Sequence, residues 1–201
     1  MKPQPTAPTR RRLLQGAALA LLPGVHGAVR ANTPAAPLRG DMGAAPPEVL
    51  SELPGARLLG SGRLRFMGLR IYDARLWSPR AIGTGDWAAA PLALELEYAR
   101  SLNGRAIAER SLDEMRRQGD ITPEDGRRWV AEMSRLFPDV KEGDRITGLQ
   151  RPGEATRVFH NGVLRGELRD PVFTRLFFGI WFSDRTSEPD LRAELLGAVA
   201  R

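Results

Sequence analysis

The chain contains no cysteine, so disulfides, thiolate metal sites, thioether haem attachment and cysteine nucleophiles are all excluded. Histidine is almost as scarce. Of the 2 present, His26 falls in an N-terminal leader and His160 stands alone beside an Asn-Gly turn. A lone histidine cannot assemble a multi-histidine zinc or iron site, and any serine, histidine and acid triad would have to use it. His160 is assigned no chemistry, and no cofactor is expected. Lysine is rare too, almost every basic residue being arginine. The apolar run from Leu13 to Leu22 is about half the roughly 20 residues a spanning helix needs, so no lasting membrane anchor is expected. No repeat at a period of 20 to 50 residues is visible.

Acidic residues are missing from residues 1–31, and this decides how the net charge of +6 is read. Lys2, Arg10, Arg11, Arg12 and Arg30 leave 25 basic residues against 24 acidic ones in the remainder. The basicity therefore belongs to the leader, and a nucleic-acid partner is not expected. That leader has a basic start, the short apolar run and a small-residue exit, the three parts of an export signal. Thr9-Arg10-Arg11-Arg12-Leu13-Leu14 resembles the twin-arginine motif, an ordinary secretion signal being the alternative. Val29-Arg30-Ala31 suits cleavage after Ala31, with Ala28 and Gly27 as the alternatives. The expected destination is a bacterial periplasm or the exterior, reached through the export machinery.

Asn32 to about Pro47 is rich in Ala, Pro and Gly without periodicity, and reads as a flexible arm ending by residue 50. The folded domain then spans 51–201, a length and an apolar fraction of 42% that suit one core. Arg57 to Phe66 and Leu69 to Trp77 read as paired strands. In Pro91 to Arg100 the residues Leu92, Leu94, Leu96 and Tyr98 share one face, which predicts a core on that side and water on the side of Ala93 and Glu95. Two helices follow, the first capped by Asn103, the second by Thr122 with Pro123 at its first position. On the first, Arg110, Asp113, Glu114, Arg116 and Arg117 read as a solvated face. Arg145 to Gln150, Thr156 to His160 and Val163 to Leu168 are strands, the last two joined by the turn signal Asn161-Gly162. Val172 to Phe182 is apolar on nearly every side and must be buried. Ser187 to Asp190 resembles a capping box for a last short helix. The order predicts an α+β fold with antiparallel hairpins packed under helices.

The stretch Gly60 to Trp77, GSGRLRFMGLRIYDARLW, carries the densest chemistry. A dinucleotide fingerprint would need a glycine where Arg65 stands, and a phosphate loop would need Gly-Lys-Ser/Thr. The glycines instead mark a place where another backbone or a ligand comes close. Arginine and tyrosine among apolar residues are what a pocket uses to orient an oxygen on a greasy ligand. Alternatively these arginines are solvated strand residues of little energetic weight.

Leu58 to Arg65 and Arg70 to Trp77 resemble the first two core strands of the chalcone isomerase family, especially its exported bacterial members. Gly143-Asp144, Gly162-Val163-Leu164 and Phe173 to Phe182 extend the resemblance, which covers roughly Arg57 to Gly197. It implies an open-faced β-sandwich, a long antiparallel sheet covered by helices with a cleft between. Plant members cyclise a chalcone without a cofactor, an arginine and hydroxyl side chains stabilising the enolate. Related members bind fatty acids through an arginine and a tyrosine, and others are non-catalytic helpers. The place of the plant arginine is Leu64, flanked by Arg63 and Arg65; that of the catalytic threonine is Tyr72.

Three readings follow. In the first, the chain binds a small apolar molecule bearing a carboxylate or phenolate, oriented by Arg63 or Arg65, Tyr72 and Tyr98. In the second it is an isomerase of the intramolecular lyase kind, with Arg65 and Tyr72 as catalytic candidates. In the third, Trp77, Trp129, Trp181 and the apolar helix fill the cleft and the protein serves interaction or assembly. A cavity above about 300 Å³ beside Tyr72 separates the ligand readings from the third.

Overall fold

In the computed structural model of the chain, residues 44–197 are described; the leader and residues 32–43 of the arm lie outside them. Six strands form one antiparallel sheet in simple sequence order: β1 (Arg57–Phe66), β2 (Leu69–Ser78), β3 (Leu92–Tyr98), β4 (Arg145–Arg151), β5 (Ala155–His160) and β6 (Val163–Leu168). Five helices accompany it: α1 (Pro47–Glu52), α2 (Gly104–Arg116), α3 (Pro123–Leu136), α4 (Pro171–Phe182) and α5 (Pro189–Leu195). None of the described helices is long and apolar enough to cross a membrane.

The helix starts follow from local chemistry. Asn103 Oδ1 accepts the amide of Ala106, and Thr122 Oγ1 accepts that of Asp125, each satisfying a donor that the first turn leaves orphaned. Asp170 does the same for α4, its Oδ1 accepting from Val172 and Phe173. The capping box expected at Ser187 does not form: the residue before α5 is Glu188, its side chain makes no capping bond, and Pro189 opens the helix. Asn161 and Gly162 have φ of 49° and 83°, the left-handed pair of a tight hairpin.

α4 lies over the inner face of the sheet. Phe177 is its hub, stacked on Phe173 with ring centroids 5.4 Å apart and meeting Trp181 edge-on at 5.5 Å. Beneath it lie Leu94, Leu96, Ile146 and Val158, the inward residues of β3, β4 and β5. α5 crosses β1 at Gly60, where a Cβ would collide with the backbone carbonyls of Glu194 and Leu195. Of the spaced glycines of β1, Gly60 therefore admits the helix backbone and Gly62 the side chains of Leu191 and Glu194.

The outer face departs from expectation. It does not meet water at β3, because Glu95 is only 2% exposed and Ala93 is fully buried. α1 covers this side, placing Val49 and Leu53 against Trp77, Ala93, Leu149 and Phe159. The fold thus begins before residue 51, and residues 47–50, assigned to the arm, are helical. Alternation correctly places Glu95 opposite the leucines; it cannot show that a second layer lies there. Beneath α1 the Glu95 carboxylate accepts from Trp77 Nε1 at 2.9 Å, Arg75 Nη1 at 3.0 Å and Arg145 Nη1 at 3.2 Å. These bonds make a buried charge tolerable.

Candidate functional site: an apolar cavity with one polar end

Between the inner face of β1–β3 and helices α2, α4 and α5 lies a cavity of about 380 Å³, within the usual range for small-molecule sites. Its walls are mostly aliphatic and aromatic, among them Leu64, Ile71, Leu96, Ile107, Phe177 and Ile180. The aromatic helix does not fill the cleft, contrary to the interaction reading.

Cross-strand register explains which residues face it. Leu64 pairs with Tyr72, and Tyr72 with Tyr98, so one row across three strands points inward. Arg63 and Arg65, expected as the orienting cations, are on the other side and do not line the cavity. Arg63 Nε donates to Asp73 Oδ1 at 2.6 Å, with its side chain 46% exposed. Arg65 is exposed and paired in register with Arg70. A register irregularity does fall between Leu64 and Arg65. It leaves Leu64 and Phe66 lining the cavity, so the intervening arginine still points away.

Tyr72 and Tyr98 are both where the ligand reading places them. Their rings meet edge to face at 5.9 Å. Trp181 Nε1 donates to Tyr72 Oη at 3.0 Å. An indole nitrogen only donates, so Tyr72 must accept there, and its own proton remains available to the cavity. Among the described residues nothing hydrogen-bonds the Tyr98 hydroxyl. Burial pushes both phenols well above their ordinary range; the negative charges of Glu188 and Glu114 add to this at Tyr72, against the Trp181 bond and the charge of Arg110.

Those charged groups are the residues that sequence reasoning missed. Arg110 and Glu114 of α2, taken for a solvated face, line the cavity together with Glu188. Glu114 is 8% exposed, and it is ion-paired with Arg110 one turn earlier. Arg117 Nε stands 3.6 Å from Glu114 Oε2. That oxygen is buried and has no hydrogen bond among the described residues. The Glu188 carboxyl is raised above its ordinary range, by burial first and by the charge of Glu114 next. The spacing of Ile107, Ser111 and Glu114 on one side of α2 was the available signal. The site thus offers a donor hydroxyl, an arginine already paired, and a potential that opposes further negative charge.

A six-stranded open sheet with α2, α4 and α5 over its inner face, α1 on its outer face and an apolar chamber on the inner side defines an open sandwich built around an internal hollow. The chain belongs to the chalcone isomerase-like family, whose model matches residues 57–197. No curated protein matches it in sequence. Among solved structures it is similar to a fatty-acid binding protein of Arabidopsis thaliana, with 16% identity and a TM-score of 0.58 over 72% of this chain and 88% of that one. This likeness bears out the expected α+β open-faced architecture.

Proposed function

We propose that this protein binds a small, mostly apolar molecule in the cavity, with an oxygen of the ligand at Tyr72, and holds it without turnover. The observation that carries the reading is the Tyr72 hydroxyl, fixed by Trp181 and left with a free proton at the polar end of a hydrophobic chamber. The likeness to a fatty-acid binding protein supports an acyl body, and a flavonoid-like one is the alternative that the family resemblance implies. At the place where plant isomerases of this family carry their arginine stands Leu64, and both neighbouring guanidiniums face away. An enolate would therefore receive no cation from β1, which argues against chalcone cyclisation.

The anionic head group expected from the sequence is revised in this proposal. Arg110 is compensated by Glu114, and the same surroundings raise both a phenol and a carboxyl. A ligand carboxylate placed there would meet the same penalty, so the fitting head group is an uncharged oxygen: a protonated acid, ester, ketone or unionised phenol. Export through the leader, by the twin-arginine route, is part of the proposal on the strength of Arg10 to Leu22.

Titration with a fluorescent fatty acid tests the reading. Saturable binding is expected, weakened about tenfold in Tyr72→Phe for the loss of one buried hydrogen bond. Wild-type protein that shows no saturable binding to fatty acids, their esters or flavonoids overturns it.

A further inference from the structure

The turn from β1 to β2 is made by Met67 and Gly68, with φ of 49° and 80°. This left-handed pair is what a two-residue hairpin needs, and its usual occupants are asparagine, aspartate and glycine. Methionine has no local reason to be there. It is 86% exposed, and Phe66 and Leu69, paired across the ladder, are 60% and 54% exposed. Backbone preference and hydration both disfavour this apolar tip in the isolated fold. It also overhangs the sheet: β3 pairs with β2 only as far as Tyr72, so the rungs Arg65–Arg70 and Phe66–Leu69 project beyond it.

The charges around the tip are equally one-sided. Arg65 and Arg70 stand directly opposite each other, an arrangement that repels. Arg70 shares Asp73 with Arg63. Arg100 lies at the same end, the amide of Ala99 donating to the Ile71 carbonyl at 2.9 Å. Among the described residues, neither Arg65 nor Arg100 has a carboxylate within ion-pair distance. This end of the sheet thus carries Arg63, Arg65, Arg70 and Arg100 around Asp73, while Glu97, in register with Asp73, is held by Arg75. An apolar knob in a cationic collar matches the boundary of an anionic bilayer, where the apolar side chains reach the acyl region and arginines stay among the head groups. Phe66, together with Leu64 and Ile71, also lines the cavity, so the knob adjoins the chamber.

We infer that the β1–β2 tip is a docking element for an anionic lipid surface, seating the cavity against the membrane from which its apolar ligand is exchanged. The docking stands on the tip alone; the exchange rests on the ligand-binding reading.

The absence of cysteine makes Met67→Cys a single labelling site for an environment-sensitive fluorophore in the full chain. Vesicles containing phosphatidylglycerol should blue-shift that label strongly, phosphatidylcholine vesicles weakly, and added salt should reverse the shift. A label at Glu154→Cys, in the turn between β4 and β5 at the opposite end of the sheet, should not respond. Met67→Asp, better suited to the positive φ and so expected to fold, should lower vesicle partition about tenfold, and Arg65→Ser about fivefold. A label at position 67 that stays in water with every vesicle overturns the inference. So does a blue shift that needs no lipid and grows with protein concentration, which would assign the tip to a second copy. Fatty-acid titration without vesicles is a separate readout, so failure of ligand binding with docking intact removes the ligand reading only.

Discussion

Trp181 donates its indole proton to the Tyr72 hydroxyl across 3.0 Å of buried space, linking α4 to the second strand at the polar end of the cavity. The bond fixes the phenol's direction and leaves it as a donor. Replacing Tyr72 by phenylalanine removes the acceptor and strands the indole N–H, so a loss of about 1–3 kcal/mol is expected in urea unfolding. The opposite change, Trp181→Phe, leaves Tyr72 free to rotate and should weaken ligand binding more than it lowers stability. Equal stability of Tyr72→Phe and wild type would show that the bond contributes nothing.

Glu188 is expected to govern the pH dependence of ligand uptake. Its raised carboxyl pKa reports burial and the nearby charge of Glu114. A fatty acid in the same surroundings should bind better as pH falls, whereas its methyl ester should show little dependence. Glu188→Gln removes one of the repelling charges and should raise fatty-acid affinity at pH 8 several-fold. Tighter fatty-acid binding at high pH than at low pH would contradict an uncharged head group.

Glu95 is expected to be the most costly single deletion on the outer face. Three donors converge on it beneath α1, and removing one partner of a buried charge set costs about 3–5 kcal/mol. Glu95→Ala should therefore lower Tm sharply while fatty-acid affinity, measured well below that Tm, stays near wild type. A change of less than about 1 kcal/mol would mean that water reaches the arginines.

Asp170 should make the fold acid-labile. Burial opposes its charge, but the Phe173 amide, the Trp129 indole and the Arg128 guanidinium outweigh it and hold the carboxyl below its usual range. A depressed folded-state pKa gives stability that is complete above the unfolded value of about 3.9 and lost as pH falls through the folded one. Asp170→Ala should cost about 1–2 kcal/mol at neutral pH through the lost cap and flatten the acid limb of the stability curve. An unchanged acid limb would place the lability elsewhere.

The strands, the Asn161-Gly162 turn and the caps at Asn103 and Thr122 were legible because each is set within a few residues by periodicity or by one side-chain bond. Tyr72 was found through the family resemblance, because both faces of β2 mix polar and apolar residues and alternation alone does not say which one is inward. The arginines were misplaced because alternation forbids Arg63 and Arg65 the side that Leu64 takes, and only a full one-residue slip would have changed that. Glu114 and Glu95 were hidden because their burial depends on elements distant in sequence. α4 packs over α2, and α1 closes over β3, and no local pattern records either contact.

The sheet is open, so β1 and β6 each leave one row of amides and carbonyls unpaired. Such margins invite ladder extension by a neighbouring chain. Here β1 carries Arg57, Arg63 and Arg65, and β6 carries Arg165, all exposed, while a register shift kinks the β5–β6 ladder between Val158 and Phe159. A foreign strand would have to align with a bent rail and dehydrate guanidiniums to attach. Both margins therefore resist ladder extension although the sheet never closes on itself.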